Sequence, residues 1–323
     1  MINKRPLILI SKCIEHGYCR YDSNQIASKF VKNLERYVDF IDVCPEIEIG
    51  LTIPREAIRI LNIDGKEKLV YSNSGTEVTQ KMQIFSKEFV HELNNKTIHG
   101  CIMKSYSPTC GFEKVKMYRG LGKQSLMNEK TRGFFGREVV KQLEGIPIED
   151  EGRLRNYNIR EQFLTSIFTL KDYDEVIEKN TIKSLIDFHS KNKYLLMVYN
   201  QNNQKLMGKI VANENKDPIN ILIQEYLVLL KKTLSTPLKR GSNINMIMHL
   251  FGYFKNDLSK EEKAYFLDVL EQYSLKEVPF SVPISIIYTW TLRFNQKYLK
   301  TQTIFKPYPV GILNVADSGK GID

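Results

Sequence analysis

The chain has 323 residues, of which 42% are hydrophobic and 26% are charged, and this composition is typical of a globular protein. The longest apolar stretch, at residues 283–292, is too short to span a bilayer, and the N-terminal apolar run is too short for a signal peptide. We therefore expect a cytoplasmic protein with no membrane partner. The formal net charge of +10 favours a polyanionic partner, although a lysine-rich solvated surface would give the same value.

Strand and helix signals alternate through the first half of the chain. Short apolar runs predict strands at residues 7–11, 40–43 and 98–103. Helical periodicity predicts helices at residues 24–37, 76–94 and 137–143. Asp64 and Gly65 predict the turn of a hairpin within residues 62–71. Because this alternation is typical of βαβ units, we predict an α/β domain with a doubly wound, mostly parallel sheet.

The β signal largely disappears after about residue 156, where helical patterns take over. Before that point, glycine, proline and a run of acidic residues at 145–155 predict a linker. Helices are predicted at residues 160–168, 174–189, 218–234, 243–254, 259–273 and 283–294. Ser259 and Glu262 fit a capping box. We therefore predict an α/β domain at residues 1–148, an all-α domain at 149–313 and a flexible tail at 314–323.

Three of the five cysteines, Cys13, Cys44 and Cys110, follow predicted strands. Because the carboxyl ends of parallel strands converge on one edge of such a sheet, these thiols are expected to meet there, as a metal or cluster site short of one protein ligand. A lone cysteine is more often a small buried hydrophobic residue, and this is our interpretation of Cys101, which lies inside a predicted strand. Cys19 is undecided, with a structural or incidental role favoured, and for the other three the residues alone leave both interpretations open.

The sequence around these cysteines shares its motifs with a known family. The motif residues are Ser11-Lys12-Cys13 with Arg20-Tyr21-Asp22, then Val43-Cys44-Pro45-Glu46 with Gly50-Leu51 and Pro54-Arg55, then Lys104-Ser105 and Ser107-Pro108-Thr109-Cys110-Gly111. In this order the first half resembles the thiouracil desulfurase family (TudS-like proteins), from which it departs at Ser23, where the family usually has glycine. The second half resembles the YbgA-like helical domain often fused to that module, through residues 149–154 and 240–255.

The resemblance implies a 4Fe–4S cluster held by the thiolates of Cys13, Cys44 and Cys110, with one iron open. A soft thiocarbonyl sulfur would bind that iron, water would attack the pyrimidine carbon, and sulfide would leave without net redox change. The resemblance further implies that Glu46 activates the water and that Ser107 relays a proton or orients the substrate. The structural alternatives are a capping or salt-bridging carboxylate for Glu46 and a turn hydroxyl for Ser107.

A predicted helix in the second half carries candidate contacts for RNA. Asn245, His249 and Tyr253 recur every four residues and therefore share one face of this helix, which is entered through Lys239 and Arg240. Such a face could bind phosphates and stack against bases. The alternative is that His249 and Tyr253 are satisfied core residues and that the two basic residues form a solvated turn.

Within the desulfurase motifs, Arg20, Arg55 and Lys104 are candidates for substrate contacts. As the substrate, the resemblance implies 4-thiouridine in tRNA, which would be returned to uridine. One alternative keeps this chemistry and takes free thiouracil or thiolated nucleotides. Another is a non-catalytic RNA-binding or cluster-sensing protein, and a zinc enzyme is a more distant one. The sequence does not predict an oligomeric state.

Overall fold

The computed structural model describes residues 5–121 and 126–313. The chain divides into two compact units: the first reaches Phe168 and takes in the segment from Val310, and the second is Thr169–Pro309. The division falls within a helix that covers Tyr157–Lys179. The domain boundary predicted at residues 148 and 149 therefore stays a prediction, and the predicted tail at 314–323 lies outside the described residues.

The strands of the first unit form two sheets. In chain order the strands are β1 Leu7–Ser11, β2 Asp39–Val43, β3 Ile58–Ile63, β4 Lys66–Tyr71, β5 Gly100–Met103, β6 Val115–Tyr118, β7 Leu126–Thr131 and β8 Ile148–Asp150. The first sheet has the order β2-β1-β5-β8 with every pair parallel, and the second has the order β4-β3-β6-β7. The predicted α/β class with a mostly parallel sheet is confirmed.

The order of the parallel sheet creates a place for a ligand. From β1 the chain moves to β2 on one side and later to β5 on the other, so the order reverses between β1 and β5. At such a switch point the loops that leave the two strands diverge and open a crevice outside their carboxyl ends. Cys13 follows β1 and Cys110 lies in the loop after β5, which brings both to this crevice.

Some predicted elements of the first unit are confirmed as drawn, and several others differ from their predictions. The hairpin around Asp64 and Gly65 is confirmed as β3 and β4. The short strands β6 and β7 were not predicted, because β7 is largely exposed and carries polar residues. Residues 148–150 were predicted to lie in a linker but form β8, which pairs with β5 at the sheet edge. Their acidic composition hid a strand whose last residue, Asp150, is buried.

Among the described residues, the α-helices of this unit that precede the one at Tyr157–Lys179 are α1 Lys29–Leu34, α2 Pro45–Glu48, α3 Thr79–Leu93 and α4 Phe134–Gln142. Helix α3 joins the cores of the two sheets, since Val90 packs with the parallel sheet while Met82 packs with the second one. Helix α4 does the same through two adjacent residues, Phe135 and Phe134 respectively. The predicted helix at 24–37 is confirmed only over α1.

The second unit is helical over its described residues. Its helices are the C-terminal part of α5 Tyr157–Lys179, then α6 Ile182–Tyr199, α7 Gln201–Ala212, α8 Ile219–Leu234, α9 Arg240–Phe251, α10 Lys260–Ser274, α11 Ser281–Arg293 and α12 Lys297–Lys300. The capping box of Ser259 and Glu262 is confirmed at the start of α10. The single helix predicted at 174–189 is instead broken at Asn180, whose φ is +45°. None of the described helices has the length and apolarity to cross a membrane.

Candidate active site

A cavity of about 340 Å³ lies at the carboxyl ends of β1, β2 and β5 in the first unit. Four of the five cysteines line it: Cys13, Cys19, Cys44 and Cys110. The structure thus brings together the three thiols singled out in the sequence and adds Cys19 to them. Cys101 lies within β5, is fully buried and packs in the apolar core, so the interpretation of this residue as structural agrees with its position.

Three of the four cavity thiols have pKa values above the ordinary value of a cysteine. A hydrogen bond with the Cys13 thiol, followed by burial, raises the pKa of Cys19 to about 11. Burial raises the pKa of Cys110 to about 12. For Cys44 the hydrogen bond with Cys19, followed by burial, raises the pKa. Thiols of this kind stay neutral at pH 7 unless a bound metal deprotonates them.

The donor set fits an iron–sulfur cluster, because four thiols line one cavity. Within the part of the chain that the structure describes, no three His, Cys, Asp or Glu side chains are grouped closely enough to hold one metal ion. A zinc ion would need its thiolates about 2.3 Å from one point. A cluster offers each thiolate its own iron and therefore accepts more widely spaced donors, and thiolates are the ligands that such clusters take.

A hydrogen-bonded carboxylate lies beside the thiols. Glu46 is in the first turn of α2, directly after Cys44 and Pro45. Its Oε2 accepts hydrogen bonds from Arg55, with Nε at 3.0 Å and Nη2 in closer contact, and its Oε1 accepts one from Thr109 Oγ1 at 2.8 Å. Arg55 Nη2 also donates to the carbonyl of Cys19 at 3.0 Å. The Arg55 side chain is only 2% exposed, and from this buried position it holds both Glu46 and the Cys19 carbonyl in place.

Two hydroxyls extend this network in a fixed direction. Ser107 Oγ accepts hydrogen bonds from the backbone N–H groups of Thr109, at 3.2 Å, and Cys110, at 3.1 Å. Its own hydrogen is therefore left for Thr109 Oγ1, 2.8 Å away. Since Thr109 Oγ1 in turn donates to Glu46, the chain runs from Ser107 through Thr109 to Glu46. Sequence reasoning selected the two ends and missed the link, although the spacing of hydroxyls before Cys110 pointed to it.

The loop that carries these hydroxyls is locked against the start of α4. A Cβ at Gly133 would lie 2.4 Å from the carbonyl oxygen of Thr109, and one at Gly136 would lie 2.5 Å from that of Gly111. Only glycine permits this approach of backbone to backbone. The positions of Thr109 and Cys110 are consequently set by α4 and by the core beneath it.

Lys104 lines the cavity, but its ammonium group is engaged within the protein. Its Nζ donates to Glu151 Oε1 at 2.6 Å, to Ser105 Oγ at 2.8 Å and to the Ser105 carbonyl at 3.0 Å. Burial works against the charge of Glu151, yet Lys104 and the hydrogen bonds from Ser105 hold the pKa of Glu151 below its ordinary value. Glu151 was not selected from the sequence. A substrate contact by Lys104 stays a prediction.

Aromatic side chains border the cavity. Tyr21 and Tyr106 both line it while remaining 44% and 65% exposed. Arg20 bonds Asp22 with Nε 3.2 Å from Oδ1, and its guanidinium lies 5.5 Å from the centre of the Tyr21 ring. Ser23 has a φ of +60°, a left-handed conformation that favours glycine, which accounts for glycine at this point in the family motif.

In the second unit the structure separates the RNA candidates into exposed and engaged residues. Lys239 and His249 are exposed, and Tyr253 is 38% exposed, so His249 and Tyr253 are not buried core residues. The Tyr253 hydroxyl accepts a hydrogen bond from a neighbouring tyrosine, Tyr194, at 3.0 Å. Arg240 is occupied, since its Nη1 donates to the Tyr273 carbonyl and its guanidinium covers the Tyr273 ring at 4.8 Å.

Comparison with known proteins identifies relatives of each half. The chain matches the family model of 2-thiouracil desulfurase over residues 8–151 and that of a protein of unknown function, DUF1722, over residues 193–309. It is 25% identical over 161 residues to the uncharacterized protein YbgA of Escherichia coli (strain K12), covering 48% of this chain and 93% of YbgA. It is 30% identical over 113 residues to the uncharacterized protein YbbK of Bacillus subtilis (strain 168), covering 32% of this chain and 73% of YbbK.

One solved structure is similar to part of the chain. It is that of TudS, a [4Fe-4S]-dependent thiouracil desulfidase, with 24% sequence identity and a TM-score of 0.38. The similarity covers 46% of this chain and 93% of that one.

Proposed function

The chain belongs to the 2-thiouracil desulfurase family, and from this premise we propose that it removes sulfur hydrolytically from 4-thiouridine in tRNA, leaving uridine and releasing sulfide. In this proposal Cys13, Cys44 and Cys110 hold a 4Fe–4S cluster. The observation that carries it is a single cavity in which these thiols lie beside the hydrogen-bonded carboxylate of Glu46. When bound, a cluster with an open iron supplies a Lewis acid for which a soft thiocarbonyl sulfur is a favourable ligand.

Glu46 is the group that accepts a proton from the attacking water. Arg55 and Thr109 hold its two oxygens in place, so the carboxylate does not need to reorient when water arrives. The two hydroxyls then offer a return path once both have turned: Glu46 gives its proton to Thr109, Thr109 gives one to Ser107, and Ser107 gives its own to the departing sulfide. Water thereby supplies the oxygen that replaces sulfur at the pyrimidine carbon, and its proton is available to the departing sulfide.

Tyr21 and Tyr106 orient the pyrimidine ring at the mouth of the cavity. Both rings line the cavity and keep a large exposed fraction, so a planar base can stack on them without displacing core residues. Stacking of a base on an aromatic side chain contributes about 1–3 kcal/mol. A base within folded tRNA would have to leave its stack to reach these rings, at a cost of a few kcal/mol.

The tRNA assignment is supported by the charge and by the second unit. The net charge of +10 suits a polyanion, and Lys239, His249 and Tyr253 offer an exposed cation and ring surfaces. A second candidate is desulfuration of free thiouracil or a thiolated nucleotide, which the description of the family favours and for which a cavity of about 340 Å³ is large enough.

Sulfide release from 4-thiouridine-containing tRNA and from free thiouracil tests the proposal. The full chain is reconstituted anaerobically and compared with C110A, E46Q and, as the matched control, C101A, whose thiol is buried outside the cavity. We expect C110A to abolish release, E46Q to lower it by about 10²- to 10⁴-fold, and C101A to retain it. Release from thiouracil alone would discard tRNA as substrate. No release from either by the cluster-loaded chain would leave a non-catalytic RNA-binding or cluster-sensing protein.

Binding of tRNA is measured separately as a function of salt. We expect affinity to fall steeply with ionic strength, because neutralised phosphates release counterions. K239A and H249A should weaken binding, whereas K216A, which removes a charge from another exposed turn of the same unit, should not. If K216A lowers the affinity for tRNA equally, the binding is a nonspecific effect of positive charge.

A further inference from the structure

The cavity holds one thiol more than the proposed function uses. Cys19 is 5% exposed and lines the same cavity as Cys13, Cys44 and Cys110. The thiol of Cys44 donates to the Cys19 carbonyl at 3.8 Å, so Cys19 lies beside Cys44 in the wall of this cavity. A buried fourth thiol in this position is within the donor set of any cluster that the other three hold.

The backbone of Cys19 is anchored, whereas its side chain has a choice of partners. Its carbonyl accepts hydrogen bonds from Arg55 Nη2, at 3.0 Å, and from the Cys44 thiol, at 3.8 Å. The next residue, Arg20, donates its N–H to the carbonyl of Asn24 at 3.3 Å. Rotation about the Cα–Cβ bond is therefore the freedom that remains to the thiol. A ligand tethered so close to its target competes at a millimolar or higher effective concentration.

We propose that Cys19 is a displaceable fourth ligand of the cluster, which binds the open iron while no substrate is present and yields it to the thiocarbonyl sulfur. This inference rests on the cluster of the proposed function. The exchange breaks one iron–thiolate bond and forms one iron–sulfur bond to substrate, with no change of oxidation state, and the released thiolate takes a proton from solvent. A fourth thiolate that never left would close the position on which the chemistry depends.

The test follows the iron in the absence and presence of substrate. Wild type, C19A, C19S and the control C101A are reconstituted anaerobically as full chains, and their iron is measured during exposure to a chelator and after mild oxidation. We expect C19A to lose its first iron about tenfold faster than wild type and to show the paramagnetic signal of a three-iron cluster. Free thiouracil should speed iron loss from wild type or alter its cluster spectrum. In C19A, which has no thiol to displace, thiouracil should not speed iron loss further.

Three results would overturn the inference. Iron loss from C19A at the rate of C101A would show that Cys19 does not bind the open iron. Failure of C19A, but not C101A, to take up any cluster would make Cys19 a permanent ligand. A wild-type cluster spectrum unchanged by thiouracil, with iron loss equally unchanged, would exclude displacement. The proposed function fails in a different way. If it is wrong, the chain releases no sulfide, even where its iron is lost at the expected rates.

Discussion

The link between Ser107 and Glu46 can be cut by removing one hydroxyl. In Thr109→Val the side chain keeps its shape but loses Oγ1, which is fully buried and bonds Glu46 Oε1 and Ser107 Oγ, each at 2.8 Å. A hydrogen bond to a charged group contributes about 1.5–3 kcal/mol and one between neutral groups about 0.5–1.5 kcal/mol. The combined loss is therefore about 2–4.5 kcal/mol.

If that loss falls on the transition state, kcat drops by about 30- to 2,000-fold, since each tenfold corresponds to about 1.36 kcal/mol. KM should change little, because the Thr109 side chain has no exposed surface with which to contact the substrate. Single-turnover sulfide release measures the chemical step, and urea unfolding of the same samples measures any loss of stability.

Thr109→Ser is the matched control, because it restores the hydroxyl and removes only the methyl group. We expect it to recover most of the rate that Thr109→Val loses. A kcat for Thr109→Val within about threefold of wild type would refute the relay reasoning. Equal losses in both variants would assign Thr109 to packing instead.

Three further predictions follow from groups around and beyond the cavity. Arg55→Met leaves Glu46 without its counter-charge and should lower the free energy of unfolding in urea by about 3 kcal/mol, whereas Arg55→Lys should lose less; equal losses would contradict an ionic role. Tyr106→Ala should raise KM by roughly 5- to 150-fold through lost stacking, while Tyr106→Phe should match wild type, and the idea fails if the two variants behave alike. Burial lowers the pKa of His189, which bonds the Tyr226 hydroxyl, from 6.5 to about 4. Between pH 6.5 and pH 4 only the unfolded chain protonates this histidine. The free energy of unfolding is therefore highest above pH 6.5 and falls by up to about 3 kcal/mol as the pH is lowered to 4. In urea unfolding at pH 7.5 and 4.5, His189→Gln should lose less unfolding free energy between the two pH values than wild type does. An equal loss in both proteins would refute this role of His189.

The sequence was sufficient to predict those elements whose signal lies within a few consecutive residues. The apolar run of β1, the hairpin turn at Asp64 and Gly65 and the capping box of Ser259 and Glu262 are all encoded locally, and all are confirmed. The meeting of distant cysteines at one sheet edge needed only the additional rule that parallel strands end on the same side.

The remainder depends on contacts between residues far apart in sequence. Glu151 belongs to an acidic run that resembles a linker, and its burial becomes evident only when Lys104, 47 residues away, lies against it. Arg55 is one of many cations in the chain until Glu46 and the Cys19 carbonyl are placed beside it. Cys19 could not be assigned for the same reason, since no local pattern states which thiols it contacts.

Strand β8 also determines how the chain can be divided for expression. A fragment ending at residue 148 would retain only the first residue of β8, and the pairing of Ile102 and Met103 in β5 with Glu149 and Asp150 would be lost. The uncovered edge would present unpaired backbone groups to other molecules, which promotes aggregation. Gly100 also lies against Phe163 and Ile167 in the first part of α5. A fragment intended to carry the cavity by itself should therefore extend to at least Phe168, and insolubility of anything shorter would not count against the chemistry.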